Sequence, residues 1–150
     1  MSKQKKIKPL KIAIVVSKFS KEISEGLLKG ALTVLTKNKI EDKNIDILYC
    51  PGAFEITLTA KKLGETKKYA AVICLGAVIK GETAHFEFIS YSVIQGILQL
   101  NLEYGIPVTF GVLTCYTHEQ AVNRSSDNPD NKGAEAANAA LEMIGMLKGI

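Results

Sequence analysis

Tryptophan is missing from this 150-residue chain, cysteine occurs 3 times and proline 4 times. Cys50, Cys74 and Cys115 are odd in number, far apart and without a C-x-x-C pair, which excludes a disulfide framework and a zinc-ligand pattern. They read as small buried residues, with Cys115, three positions before His118, carrying the alternative of a nucleophile. No apolar stretch approaches the ~20 residues that cross a bilayer. The run Ile12 to Val16 ends in Ser17-Lys18 and precedes no small-residue cleavage site, so a cytoplasmic protein without membrane contact is expected. The net charge of +4 owes much to Lys3, Lys5, Lys6, Lys8 and Lys11, yet no aromatic residue interleaves with them. Residues 1–10 therefore read as a solvated basic arm rather than a nucleic-acid contact. Two nucleotide signatures are missing as well. The first strand-like run is not followed by G-x-G-x-x-G, and Gly76-x4-Gly81 continues into Glu82-Thr83 instead of the lysine a P-loop requires. Nor does Ser17 to Lys21 hold the paired acids of a phospho-acceptor or the Ser/Thr/Gly cluster of a flavin phosphate loop.

What is there is alternation. Lys11 to Val16, Ile45 to Tyr49, Ala70 to Leu75 and Val108 to Leu113 are apolar strand-like runs. Between them, Ile23 to Leu35, Phe54 to Leu63 and His85 to Gly105 repeat apolar residues at helical spacing, the last one stopped by Pro107. A short helix is expected over Glu119 to Arg124 and an alanine-rich one from Lys132 to Lys148. With 47% hydrophobic residues and no linker or repeat, residues 11–150 make one domain. The pattern predicts an α/β, flavodoxin-like three-layer sandwich around a central four-stranded parallel sheet.

In such sheets ligands bind beyond the carboxyl ends of the strands. Gly76 to Ala84 is therefore expected to be a loop forming a pocket wall, and His85 opens the next helix with an intrinsic pKa suited to moving protons. Phe19 follows the first strand and Phe110 lies in the fourth; each is either a packing aromatic or half of a sandwich around a planar ring. Glu55, after Pro51-Gly52, either complements a helix dipole or accepts hydrogen bonds from ligand hydroxyls. Arg124 and Lys132 flank a polar break before the last helix, as surface charge or as a phosphate site.

Four blocks carry a resemblance: Pro51-Gly52-Ala53-Phe54-Glu55, Gly76 through Phe86, Phe110-Gly111-Val112-Leu113-Thr114 and Asn131-Lys132-Gly133-Ala134-Glu135-Ala136-Ala137. In this order, over about Lys11 to Leu147, the chain resembles the 6,7-dimethyl-8-ribityllumazine synthase family. The resemblance implies condensation of 5-amino-6-(D-ribitylamino)uracil with 3,4-dihydroxy-2-butanone 4-phosphate, the penultimate step of riboflavin biosynthesis, without metal or organic cofactor. Matched by position, Phe19 would stack on the pyrimidine and Phe110 of a neighbouring subunit would close the site. Ala53, Phe54 and Glu55 would line the ribityl chain, and Ala77, Val78 and Ile79 would hold the ring through backbone groups. Glu82, Thr83, Arg124 and Lys132 would receive the butanone phosphate, and His85 would transfer protons. The family likeness further implies a homo-oligomer with interfacial active sites, a pentamer or a sixty-subunit icosahedral shell, and names riboflavin synthase as a candidate partner.

Lys80 stands where the family commonly has Arg, Thr57 where it commonly has Pro, and the loop Ser125 to Asp130 is more acidic than usual. Asp127 and Asp130 would weaken phosphate binding if they faced the site. The face Ala134, Ala137, Ala140 and Leu141 fits a subunit contact or core packing. A non-catalytic flavin or lumazine binder and a shell-forming scaffold are the rival classes.

Overall fold

The computed structural model describes residues 8–150; most of the expected basic arm, residues 1–7, lies outside the described residues. Four parallel strands form one sheet in the order β2-β1-β3-β4. They are β1 (Ile12–Ser17), β2 (Ile45–Cys50), β3 (Ala71–Ile79) and β4 (Val108–Cys115), alternating with α1 (Lys21–Lys37), α2 (Ala53–Glu65), α3 (His85–Tyr104), α4 (His118–Ser125) and α5 (Lys132–Leu147). This is the expected three-layer α/β sandwich. A short 3-10 turn over Asp42–Asn44 was not foreseen.

The strand residues sort by parity. Ile12, Ile14 and Val16 join Leu27, Ala31, Ala137 and Ala140 on the side of α1 and α5. Ala13 and Val15 join Ile56, Val93 and Ile97 on the side of α2 and α3. Both faces of β1 are covered, which explains its unbroken apolar run. Ala137 and Ala140 are fully buried within the chain and serve core packing, while Ala134 and Leu141 of the same face are half-buried.

Several expected boundaries move, two of them for a clear physical reason. Gly76 to Ile79 is strand, not loop, because β4 runs on to Cys115 and supplies a partner through the pairs Gly76 with Val112 and Ile79 with Cys115. α3 stops at Tyr104, where Gly105 takes a left-handed φ of 63°, two residues before Pro107 would have forced the end.

At the amino end of the sheet the chain is locked. The Tyr69 hydroxyl donates to Asp46 Oδ2 at 2.6 Å. Lys11 Nζ stands 3.0 Å from the same oxygen and 5.5 Å from the Tyr69 ring centroid. Lys11 thus belongs to the fold and not to a solvated arm.

Candidate active site

The carboxyl end of the sheet is, by contrast, unfinished. β1 pairs with β3 only as far as Val16 opposite Leu75, while β4 follows β3 to Ile79. The last four residues of β3 therefore have a strand on one side and an open backbone edge on the other. Backbone N–H and C=O groups left without a ladder partner are ready-made hydrogen-bonding sites. The turns after β1 and β2 rise beside this notch, tied together by Lys18 N–H donating to the Cys50 carbonyl at 2.8 Å. One turn carries Phe19, 66% exposed. The other leads into the first turn of α2, where Ala53 is buried and Phe54 and Glu55 are exposed. A side chain at Gly52 would begin 3.2 Å from Glu55 Oε2, so glycine leaves that carboxylate its room.

Beyond Ile79, the exposed loop Lys80 to Ala84 holds Glu82 and Thr83. Thr83 Oγ1 accepts from the backbone N–H of His85 at 3.3 Å. His85, exposed, is the first residue of α3, as expected.

A second group lies elsewhere. Phe110, Cys115, Arg124, Lys132 and Glu135 line a cavity of about 260 Å³ along the free edge of β4. Asn131 caps α5 by accepting from Ala134 N–H at 3.0 Å, which sets Lys132 at the helix start. Arg124 Nη1 donates to the Gln120 carbonyl at 3.1 Å, and Lys132 Nζ stands 2.6 Å from Glu135 Oε2. The cavity thus presents two cations and one carboxylate, a composition suited to a multiply charged anion. Glu135 was missed in the sequence; its signal was the three-residue spacing from Lys132 on one helix face. Burial pushes the Cys115 thiol above its usual range and Arg124 only partly opposes this. A thiol pushed up in this way ionises less readily, which counts against the nucleophile alternative. Asp127 lines a different groove, with Asn128, Asn131 and α1, so it does not face the Arg124 cavity.

The two groups do not meet within one chain. Phe110 is registered opposite Cys74, on the far side of β3 from β1, which places it roughly 7 Å down the strand direction from the near end of the notch at Gly76 and roughly 16 Å from its far end at Ile79, at 3.3 Å per residue. Phe19 and Phe110 of a single chain therefore do not enclose one ring.

The profile of the 6,7-dimethyl-8-ribityllumazine synthase family matches residues 9–148. The chain belongs to that family. Over 142 residues, 95% of this chain and 93% of the relative, it is 53% identical to a protein of Caulobacter vibrioides named 6,7-dimethyl-8-ribityllumazine synthase 1. Membership in the lumazine synthase family makes it an enzyme, a transferase of riboflavin biosynthesis acting on small molecules. Among the described residues no helix is long and apolar enough to cross a membrane.

Proposed function

We propose that this chain joins 5-amino-6-(D-ribitylamino)uracil to 3,4-dihydroxy-2-butanone 4-phosphate in a site shared between two subunits, with His85 moving the protons. The pyrimidine stacks on Phe19, its ring edge bonds to the open backbone of Ala77 to Ile79, and its ribityl hydroxyls reach Glu55 beside Ala53 and Phe54. From the neighbouring subunit, Phe110 covers the ring while Arg124 and Lys132 hold the phosphate, with Glu82 and Thr83 approaching it from the first chain. The pyrimidine amine attacks the ketone and water leaves as the imine forms. A proton is then lost from the adjacent carbon as phosphate departs, leaving an enol that takes up a proton on its terminal carbon and becomes a ketone. Attack of the ribityl-bearing nitrogen on the resulting ketone closes the ring and expels a second water. Each stage needs a proton moved near neutral pH, the task for which an exposed imidazole is suited.

The observation that carries the reading is the separation of the two groups: the turns bearing Phe19 and Glu55 follow β1 and β2, the cavity of Arg124 and Lys132 lies along β4, and β3 stands between them in the sheet, so they serve one ligand only if a second chain completes the site. A surface for that second chain is present. Phe88 (72% exposed), Tyr91, Leu98 and Leu102 (79% exposed) form an apolar stripe on α3, the kind of patch that marks an interface. The expected stoichiometry is a homopentamer, free or built into an icosahedral shell, in the cytoplasm. The test is an assay with both substrates, following lumazine absorbance and phosphate release. Equimolar lumazine and phosphate are expected. Pyrimidine binding without product would replace the enzyme with a binder, and assembly without either would leave a scaffold.

A further inference from the structure

The loop Lys80 to Ala84 has little of its own to hold it, since all of its residues are exposed and a side chain at Gly81 would meet nothing within 4 Å. Both flanks nevertheless close on one side chain, Tyr116. On the leading flank, Lys80 N–H donates to the Cys115 carbonyl at 2.9 Å, and Lys80 Nζ lies 5.6 Å from the Tyr116 ring centroid, inside the ~6 Å reach of a cation–π contact. On the trailing flank, the Phe86 ring is 5.9 Å from that of Tyr116 at an interplanar angle of 46°. The clasp is closed by Glu87, whose Oε1 is 3.7 Å from Lys80 Nζ.

Tyr116 is itself well fixed. It is the first residue after β4, and its backbone N–H donates to Gln120 Oε1 at 2.9 Å. The following Thr117 and Gln120 form a reciprocal capping box at the start of α4. Core packing accounts for Phe86, which is 8% exposed, but not for a tyrosine left 68% exposed under a lysine from the far side of a loop.

We propose that Tyr116 is a positioning residue: by clamping Lys80 and Phe86 together it sets the span of the loop between them, and so the placement of Glu82, Thr83 and His85 against the phosphorylated substrate. The inference rests on the reading of this loop as part of the site for butanone phosphate. It goes beyond that reading by assigning the loop's geometry to a residue that touches neither substrate.

The test is steady-state kinetics of the assembled enzyme with one substrate varied at a time. Tyr116→Ala is expected to raise KM for the butanone phosphate about 10-fold, below the 10²-fold that a 1 Å misplacement can cost, while KM for the pyrimidine stays within about twofold. Tyr116→Phe, which keeps the ring, is expected to restore the wild-type KM. Lys80→Met is expected to give a smaller rise that does not add to that of Tyr116→Ala, because both act through one contact. Equal changes for both substrates, no change at all, or additive effects would overturn the proposal. Should Tyr116→Ala fail to fold by circular dichroism, Lys80→Met decides alone, an unchanged KM being the negative result. Amide hydrogen exchange separates this claim from the functional reading. Faster exchange of the bonded amides at the flanks, Lys80 to the Cys115 carbonyl and Phe88 to the Ala84 carbonyl, is expected in the Lys80→Met and Tyr116→Ala chains whether or not lumazine forms, and unchanged exchange would remove the clamp. A wild-type chain that makes no lumazine would instead remove the functional reading.

Discussion

The two helical layers of this sandwich are built to different standards. The layer of α1, α4 and α5 is closed: a side chain at Gly133 would overlap the Leu27 backbone, one at Gly26 would meet the Ser125 carbonyl, and one at Gly30 would meet Asn131. Asn131 Nδ2 donates to the carbonyls of Gly26 and Ser125, stitching α1 to the segment before α5. The layer of α2 and α3 is closed only toward the sheet, through Ile56, Val93, Ile97 and Leu100. Its outer surface exposes Phe54, Leu58, Phe88, Tyr91, Leu98 and Leu102. The difference also divides the chemistry, because His85 and Glu55 begin the helices of the open layer and Arg124 and Lys132 belong to the closed one. Under the proposed shared site, the closed layer would present its cations and the apolar outer face of the open layer would receive them.

The most severe way to break this contrast is to overfill the closed layer. Gly133→Val is expected to destabilise the fold by about 3 kcal/mol, the upper end of overpacking costs, because the clash is with helix backbone and no side-chain rotation relieves it. Urea unfolding measures it. Leu98→Gln, the matching change on the open layer, is expected to leave circular dichroism unchanged and to shift the sedimentation profile toward smaller species. An unfolded Leu98→Gln chain would mean that α3 is held by more than the described core.

Next in size is the division of roles. His85→Ala is expected to lower kcat by about 10²-fold, the low end of general acid–base contributions, with little change in either KM. Stopped-flow and steady-state assays with both substrates check it, and an unchanged kcat would deny His85 the protons. Arg124→Ala is expected to weaken the butanone phosphate by roughly 1.5 to 3 kcal/mol, the value of a charge-assisted hydrogen bond, and to spare the pyrimidine. Titration of each substrate separately decides it. Co-assembling the His85→Ala and Arg124→Ala chains sharpens the comparison further, since some interfaces then receive neither lesion. Activity above the mean of the two variants is expected, and activity equal to that mean would place each site within one chain.

The smallest effect lies at the amino end of the sheet, away from both layers' functional residues. The bond from Tyr69, helped by Lys11, holds the Asp46 carboxyl below its usual range. Its folded pKa is below the unfolded one, so its contribution is present above the unfolded value and fades as pH falls through the folded one. Burial, together with Asp46, pushes the Tyr69 hydroxyl from 10.0 up to about 12. That contribution is complete below the unfolded value and is lost as pH rises toward the folded one. Asp46→Asn is expected to flatten both flanks of the stability profile, measured as urea midpoints at roughly pH 3, 7 and 11, without altering turnover at neutral pH.

Much of this was legible in the chain. Strand parity, helical spacing and the β-α order led to the sheet, and the resemblance in four blocks led to the family and to His85, Glu55, Phe110 and Arg124. The apolar spacing of Phe88, Tyr91, Leu98 and Leu102 marked α3 as a helix, yet those residues are its exposed face; periodicity reports that a face exists, not what lies against it. The Gly76 to Ile79 stretch looked like a loop because its partner, the end of β4, comes dozens of residues later. Capping is local, so the Thr117-x-x-Gln120 box was there to be read. The convergence of Lys80, Phe86 and Tyr116 was not, since nothing in a residue's neighbours along the chain says which distant strand will end beside it.

Composition and periodicity by themselves determined the class of fold and the sequence of its elements, and the four family blocks determined the family, because these follow from local backbone preference and from the order of short motifs along the chain. Tertiary structure alone decided that β1 stops short of the end of β3, that the cations of α4 and α5 lie along β4 and away from the turns that carry Phe19 and Glu55, and that one surface of α3 is left bare. Those facts depend on strand register and on packing between segments far apart in sequence, where a shift of one residue would turn every side chain to the other face of the sheet.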